Sequence, residues 1–290
     1  MIPTTDDPAD LLERRVEALE AGLRELGSVL VAFSGGADSA LVLASAVRVL
    51  GPERVAAATA YSDSLPQRER DPARAFAEQL GVRVLTPQTH EMAREGYRRN
   101  AGDRCGHCKA ELLDVLTPLA RAHGLAHVVT GTNADDVVAG FRPGIRAAAQ
   151  RGARTPLADA GLTKAEVREV SRRWGLPTWD KPAAACLSSR IAYGLEVTPA
   201  GLARVERAEE AVRRTLAGFG FSATDLRVRD LGDTASIEVD RDLVRRLDEA
   251  ATAALTDAVR DAGFPQARVD PRGFRSGSMN ERLPDPARWR

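Results

Sequence analysis

Several residue types are scarce in this chain of 290 residues, and each shortage excludes a class of protein. Three cysteines are too few, and odd in number, for a disulfide framework, which favours a reducing compartment. Aromatic residues make up 4% and the formal net charge is zero, and both values argue against a nucleic-acid-binding surface. No run of about 18 apolar residues is present and the N-terminus lacks a signal-peptide pattern. We therefore expect a cytoplasmic protein that does not insert into membranes.

A glycine-rich loop is present, but it does not end in Gly-Lys-Ser/Thr. Residues 34–39 read Ser-Gly-Gly-Ala-Asp-Ser, between the apolar run 29–33 and the Ala-rich stretch 40–50. Adjacent glycines let a backbone approach an anion, and the N–H groups of a following helix then point at it. The loop therefore predicts a phosphate site, whereas the missing lysine argues against an NTP hydrolase. A glycine turn with a serine cap is the simpler alternative.

The order of the predicted elements indicates an α/β fold. Strands are expected at residues 29–33, 54–60, 82–85 and 127–130. Helices are expected at residues 8–26, 40–50, 68–80 and 108–123. This alternation predicts a doubly wound, mainly parallel sheet, with ligands beyond the carboxyl ends of its strands. Residues 61–64 and 131–136 both fall at such ends.

A second, smaller module is predicted from about residue 198. Its helices are expected at 199–219 and 242–262, and its strands at 226–229, 236–240 and 267–270. The order α-β-β-α-β predicts a compact α+β unit. The expected domains are therefore 1–197 and 198–290.

The three cysteines lie in two places, as the pair Cys105 and Cys108 and as Cys186 far downstream. A Cys-x-x-Cys pair can chelate iron or zinc, or cycle as a dithiol. A structural zinc site needs a fourth protein ligand, and only His107 or His90 lies near the cysteine pair in the sequence. Three thiolates without a fourth protein ligand suit a 4Fe-4S cluster with one open iron. Free thiols with packing roles are the remaining interpretation.

Several strings together resemble known families. The loop at 34–39 resembles the pyrophosphate loop of the PP-loop ATP pyrophosphatases. More specific strings lie at residues 131–136, 141–144, 155–157, 179–182, 186–190, 193–194 and 273–278. With the loop, they resemble the LarE family, ATP-dependent sulfur transferases that make the bis-thiocarboxylate mononucleotide of the lactate racemase nickel-pincer cofactor. The resemblance runs from the first strand to about residue 280.

The resemblance implies a two-step reaction. A carboxylate of a pyridinium mononucleotide attacks the α-phosphate of ATP and releases pyrophosphate, and a sulfur nucleophile then displaces AMP. The loop would hold the leaving pyrophosphate, and a carboxylate would position Mg²⁺ beside it. The residues implied for ATP are Ser34, Gly35, Gly36, Asp38, Ser39, Gly131 and Asp135. Sulfide or another sulfur donor is implied as a second substrate, and we expect a homo-oligomer.

The resemblance also implies roles for the cysteines and for several cations. The family has a branch in which positions matching Cys105, Cys108 and Cys186 hold a 4Fe-4S cluster, and another in which the match of Cys186 gives up its own sulfur. Three cysteines place this chain in the first branch.

Five cations complete the implied site. Lys109 and Arg190, beside these cysteines, are predicted to neutralise the substrate carboxylate or a thiolate. Arg227, Arg229 and Arg275 match positions that bind the substrate phosphate. Arg227 and Arg229 could instead form the exposed face of a strand, and Glu238 is expected to be a solvated strand residue.

Two other functions are consistent with the loop. A tRNA thiolase of the same superfamily would need a basic, partly aromatic surface, which the composition does not indicate. A non-catalytic adenine-nucleotide-binding module is the alternative of another class. The presence of Asp38, Ser39 and Cys186 argues against it, because a pure binding protein does not need a thiol beside a phosphate site.

Overall fold

The computed structural model describes residues 8–139, 142–182 and 185–283. Its α-helices are α1 Pro8–Leu26, α2 Ala37–Leu50, α3 Arg70–Gln79, α4 Glu95–Arg98, α5 Arg104–Ala122, α6 Ala134–Val138, α7 Pro143–Ala149, α8 Pro156–Asp159, α9 Lys164–Arg173, α10 Pro199–Gly218, α11 Arg241–Val244 and α12 Glu249–Asp261. Its strands are β1 Val29–Ala32, β2 Val55–Ala58, β3 Arg83–Leu85, β4 His127–Val129, β5 Leu226–Asp230, β6 Thr234–Val239 and β7 Gln266–Val269. Short 3₁₀ turns lie at Pro52–Arg54, Gln67–Glu69, Glu91–Ala93, Leu187–Arg190 and Ser278–Arg282.

The larger sheet is parallel, with the strand order β3-β2-β1-β4. Val29 pairs with Val55 of β2 on one side and with His127 of β4 on the other. The chain therefore changes direction across the sheet at β1, and in doubly wound sheets such a point opens a crevice at the carboxyl end of the strands. The loop at 34–39 follows β1 directly. The predicted fold class is confirmed.

Both faces of this sheet are covered, as the nearly continuous apolar strands require. On one face Leu41 of α2 and Val167 of α9 are fully buried against Val31. On the other face Leu113 and Leu116 of α5 pack around Leu30. Helix α5 is thus fixed to the sheet through its middle, and its first turn lies at the carboxyl ends of the strands.

The smaller sheet has the order β5-β6-β7, with β5 and β6 antiparallel and β6 and β7 parallel. Helices α10 and α12 cover it through Val205 and Leu255, both fully buried. Its core also includes Leu187 and Ile191, and Ile191 forms a bridge to Asp230 of β5. The segment after Cys186 therefore packs on the small sheet. The domain boundary at residue 197 stays a prediction.

The two largest differences between predicted and observed helices concern residues 242–262 and 108–123. The helix expected at 242–262 is divided into α11 and α12, and α12 starts anew where Asp248 caps it by accepting from the Ala251 N–H at 2.7 Å. The helix expected at 108–123 begins at Arg104, so Cys105 and Cys108 lie within its first turns. Gly106 lowers the helical propensity of residues 104–108, so the sequence pattern does not indicate that the helix begins at Arg104. Over the described ranges, no helix is long and apolar enough to cross a membrane.

Candidate active site

The loop between β1 and α2 has the geometry of an anion site. Gly35 has a φ of 71°, and Gly36 precedes α2 without any side-chain capping bond. The Ser34 N–H donates to Ser39 Oγ at 3.3 Å, and the two hydroxyl oxygens are 3.1 Å apart. Ser39 also donates to the Gly36 carbonyl at 3.1 Å. The two serines thus lock the turn, while the first N–H groups of α2 point into the crevice.

The end of β4 touches the start of α2 backbone to backbone. A Cβ at Gly131 would lie 2.7 Å from the Ser39 nitrogen and 3.0 Å from the Asp38 carbonyl carbon. Real Cβ atoms do not approach backbone this closely, so only glycine permits the contact. The predicted loop residues and Gly131 are therefore neighbours.

Asp38 is held by two groups from elsewhere in the chain. Its Oδ1 accepts from Asn133 Nδ2 at 3.1 Å, and its Oδ2 from Lys164 Nζ at 2.5 Å. Asp135, predicted to contact nucleotide, is exposed and accepts from the Lys164 backbone N–H at 2.8 Å. Asp135 orders the start of α9, and the carboxylate facing the crevice is that of Asp136.

Lys164 and Lys181 were not singled out from the sequence. Lys181 Nζ donates to the Gly35 carbonyl at 3.0 Å and pairs with Glu69 at 2.9 Å. Burial would raise the pKa of Glu69, but the bond and the charge of Lys181 outweigh it and lower that pKa. These lysines lie 126 and 146 residues from their loop partners, so local patterns could not place them. The Asp-Lys-Pro string at 180–182 was the one available signal for Lys181.

Two cavities meet beside the loop. The first, here called the loop cavity, has a volume of about 320 Å³ and is lined by Ser34, Asp38, Ser39, Gly131, Cys108 and Cys186. The second, here called the arginine cavity, has a volume of about 420 Å³ and is lined by Arg104, Cys105, Tyr193, Arg227, Arg229 and Ser278. Lys109, Thr132 and Asp136 line both. The predicted lysine therefore stands at the junction.

The surroundings of Lys109 lower the pKa of its amine. Removal from bulk water lowers the pKa of the Lys109 amine, although the nearby Cys108, Cys105 and Asp136 each oppose that change. A cation at the junction can contact a phosphate in one cavity and a carboxylate in the other. The role of Lys109 as a substrate-neutralising cation stays a prediction.

The three cysteines converge on the same region as free thiols. Cys108 Sγ lies 3.8 Å from Glu91 Oε1 as a weak donor. Burial raises the pKa of the Cys108 thiol, and charges on Cys186, Glu91 and Cys105 raise it further. Cys108 and Cys186 line the loop cavity and Cys105 lines the arginine cavity, so the thiols stand on both sides of the junction.

Zinc gains no support from the histidine beside these cysteines. His107 Nε2 faces Asp103 at 3.3 Å, and the ring packs against Gly96. Across the part of the chain that the structure describes, no three His, Cys, Asp or Glu side chains are grouped to hold one metal ion.

Arg190 does not face either cavity. Its side chain is 1% exposed, its Nε donates to Glu209 at 2.8 Å, and one terminal nitrogen donates to the carbonyls of Ala185 and Cys186 at 2.5 and 2.9 Å. The prediction that it contacts substrate has no support in this geometry. Its bonds shape the backbone around Cys186, which makes it a positioning residue.

Arg227 and Arg229 are buried, 5% and 6% exposed, so the interpretation as an exposed strand face is wrong. Arg229 donates to Glu238 at 3.0 Å and to the Ser189 carbonyl at 3.1 Å. Glu238 is 4% exposed, and the expectation of a solvated residue is also wrong. Burial lowers the pKa of Arg227 to about 10, and the charges of Arg190 and Arg229 add to that effect. Two guanidinium groups thus line the cavity wall, and that of Arg229 is paired with Glu238.

Arg275 lies apart from this wall. Its neighbours Phe274 and Ser276 line the arginine cavity, whereas Arg275 is not a lining residue and pairs with Glu281. The predicted phosphate contact by Arg275 is not supported in this arrangement. Sequence similarity located the segment but could not show which side chains face inward.

The fold and this loop define a PP-loop nucleotide-binding α/β protein. The sequence profile of the NAD synthase family matches residues 11–190. An uncharacterised protein of Synechocystis is 42% identical over 274 residues, covering 94% of this chain and 99% of that protein. Pyridinium-3,5-bisthiocarboxylic acid mononucleotide synthase of Lactiplantibacillus plantarum is 34% identical over 274 residues, covering 94% and 96%. An uncharacterised protein of Methanocaldococcus jannaschii is 28% identical over 178 residues, covering 61% and 66%.

The chain therefore belongs to the NAD synthase-like PP-loop family, and within it to the LarE group that includes the Lactiplantibacillus plantarum synthase. It is an enzyme of that family. The similarity covers both modules, so the arginine cavity of the small sheet is part of the shared sequence as well as the loop.

The contact of Gly131 with the loop predicts a specific steric defect. Gly131→Ala should displace the loop and cost about 1–3 kcal/mol of stability by overpacking. It should also weaken ATP binding by at least tenfold. Gly22→Ala is the matched control, because a Cβ there meets nothing within 4 Å. Thermal unfolding and ATP titration measure both effects, and unchanged ATP affinity in Gly131→Ala would refute the contact's role.

Proposed function

We propose that the enzyme adenylates a carboxylate of a pyridinium dicarboxylate mononucleotide with ATP and then replaces the adenylate by sulfur, forming a thiocarboxylate. The observation that carries this proposal is the meeting of the loop and arginine cavities at Lys109, with a cysteine on both sides. One cavity suits the polyphosphate of ATP and the other an anionic second substrate. The printed name of the Lactiplantibacillus plantarum relative supports the substrate class.

The loop cavity fits ATP with Mg²⁺. Backbone N–H groups at the start of α2 would hold the pyrophosphate, as helix N-termini hold anions. Asp38 and Asp136 supply carboxylate oxygens, the ligands that Mg²⁺ prefers alongside phosphates. Lys164 and Lys181 supply the positive charge that a P-loop lysine provides in NTP hydrolases. As pyrophosphate leaves, these groups balance the charge that develops on it.

The arginine cavity fits the phosphate of the mononucleotide. Arg227 and Arg229 present planar guanidinium groups, which match phosphate geometry. With that phosphate on the small sheet, a carboxylate on the pyridinium ring can reach the junction at Lys109. A carboxylate oxygen then attacks the α-phosphorus, the bond to the leaving pyrophosphate breaks, and an acyl-adenylate forms without any change of oxidation state.

Sulfur enters from the cysteine side of the junction. We propose that Cys105, Cys108 and Cys186 hold a 4Fe-4S cluster, because these three thiols line the two cavities that meet at Lys109 and three protein ligands leave one iron of such a cluster open. When bound, such a cluster supplies an iron without a protein ligand, where an external sulfide can bind. Arg190 shapes the Cys186 backbone, and Lys109 stabilises negative charge on the thiocarboxylate product. Sulfur attack on the acyl carbon breaks the carbon–oxygen bond to AMP.

The cellular location and the assembly stay predictions. The composition predicts a cytoplasmic protein with no nucleic-acid or membrane partner, and a homo-oligomer is the expected assembly. Sedimentation of the purified protein measures the assembly directly.

The role assigned to Asp38 predicts a selective loss of the first step. Asp38→Asn removes a charge from a partly exposed loop and should lower pyrophosphate release by at least about a hundredfold, with the fold intact. Asp135→Asn is the matched control, because Asp135 faces away from the crevice and should keep most activity. Pyrophosphate release in the presence of substrate is the measurement. Wild-type release by Asp38→Asn would remove the basis of the adenylation proposal.

The positions of Arg227, inside the arginine cavity, and Arg275, outside it, predict effects of different size for two similar changes. Arg227→Gln should raise the substrate KM by about 10- to 100-fold, corresponding to roughly 1.5–3 kcal/mol for a charge-assisted hydrogen bond. Arg275→Gln should change it by less than about threefold, because Arg275 pairs with Glu281 outside the cavity. A dephosphorylated analogue should no longer distinguish wild type from Arg227→Gln. The reverse order of the two variants would place the phosphate on Arg275.

The cysteines predict a result that separates the two sulfur mechanisms. Replacing any one of Cys105, Cys108 or Cys186 by Ala should abolish both the brown cluster absorption and sulfur transfer, because two thiolates hold a cluster poorly. Pyrophosphate release should persist in each variant. If Cys186 alone donates sulfur, Cys105→Ala and Cys108→Ala will complete one turnover. Intact mass will then show the loss of hydrogen sulfide from Cys186, and the cluster proposal will be wrong.

A further inference from the structure

Arg104 is a buried cation to which none of the steps above gives a role. It is the first residue of α5, directly before Cys105, and it is 4% exposed. Its side chain lines the arginine cavity and reaches from the Cys-x-x-Cys helix to the segment after Cys186. An arginine this deeply buried needs both hydrogen-bond acceptors and a counter-charge.

The acceptors join the two cysteine segments. One terminal nitrogen of Arg104 donates to Asn100 Oδ1 at 2.5 Å and to the Ser188 carbonyl at 2.8 Å, two residues after Cys186. The guanidinium carbon also lies 5.5 Å from the centre of the Tyr193 ring. A single side chain thus spans from α5 to the Cys186 segment.

Neighbouring residues reinforce this connection. Asn100 has a left-handed φ of 55° and is fully buried. Its Nδ2 donates to the carbonyls of Ala192 at 2.8 Å and Leu195 at 2.9 Å. Tyr97 OH and Ser188 Oγ lie 2.5 Å apart. Residues 97–104 therefore clamp the Cys186 segment at several points, which makes the spacing of the cysteines a built feature.

The counter-charge of Arg104 is not a carboxylate. Among residues 8–139, 142–182 and 185–283, no carboxylate forms an ion pair with Arg104. Arg104 directly precedes Cys105, and its hydrogen bond reaches the Ser188 carbonyl, two residues after Cys186. Thiolates that bind a cluster would place negative charge beside this buried guanidinium, which lowers the cost of its burial.

We propose that Arg104 is a positioning residue for the sulfur site, whose hydrogen bonds fix the distance between Cys105 and Cys186 and whose charge offsets the negative charge of the cluster they bind. This inference rests on the proposed function, because it requires the three cysteines to hold a cluster. Hydrogen bonding and net charge around a cluster set its reduction potential, which gives a readout independent of sulfur transfer.

The test compares Arg104→Gln with Arg104→Lys after anaerobic reconstitution with iron and sulfide. Arg99→Gln is the matched control, since Arg99 lies on the preceding turn with its side chain 60% exposed. Iron per chain and the midpoint potential are measured, and circular dichroism establishes that each variant is folded. Arg104→Gln should bind less iron, and the cluster that forms should be at least tenfold harder to reduce, about 59 mV for one electron. Arg104→Lys should recover most of the potential, because it keeps the charge.

Three outcomes overturn the inference, and they are distinguishable. Wild-type protein that takes up no cluster contradicts the proposed sulfur site itself, and the role of Arg104 with it. Full iron content and an unchanged potential in Arg104→Gln contradict the role of Arg104 alone. If Arg104→Gln fails to fold, the folded Arg104→Lys variant decides the question. A midpoint potential that differs from the wild-type value by about 59 mV in Arg104→Lys, which keeps the charge, shows that charge is not the determinant.

Discussion

The ion pair between Arg190 and Glu209 joins the parts from which the site is built. Both side chains are nearly inaccessible to solvent, 1% and 5% exposed. Arg190 binds the Cys186 carbonyl, while Glu209 on α10 also accepts from the Val228 N–H, between the two arginines of β5. This buried pair therefore fixes the Cys186 segment beside β5, whose Arg227 and Arg229 line the arginine cavity. Removing one partner of such a pair typically costs about 3–5 kcal/mol, because the other charge is left unpaired.

The cations of this chain are not evenly distributed, although its net charge is zero. Lys109 lines the loop cavity, Lys164 and Lys181 bind the loop beside it, and Arg104, Arg227 and Arg229 line the other cavity. Many other arginines pair with carboxylates on exposed helix faces, as Arg172 does with Glu169. The site thus gathers lysines and arginines in a chain that is neutral overall. In the proposed reaction, the charge that balances pyrophosphate would come from Lys164 and Lys181, which reach the loop from distant segments.

Local patterns predicted the parts of this protein that depend on local forces. The loop at 34–39 and the helix Pro8–Leu26 follow from glycine geometry and from apolar spacing, and both stand where expected. Sequence could not place Lys164, because its bond to Asp38 spans 126 residues. Arg190 and Arg275 matched a family pattern, yet burial and side-chain direction, which the pattern does not encode, turned both away from the cavities. The start of α5 was missed because Gly106 obscures a helix that tertiary packing stabilises.

The fate of the substrate carboxylate oxygen tests the central claim most directly. Substrate labelled with ¹⁸O in its carboxylates would be turned over with unlabelled ATP, and the AMP analysed by mass spectrometry. Attack of the carboxylate on the α-phosphorus, at the junction of the two cavities, predicts one heavy oxygen in each AMP and none in pyrophosphate. Unlabelled AMP, or formation of ADP in place of AMP, would contradict adenylation of a carboxylate at this site.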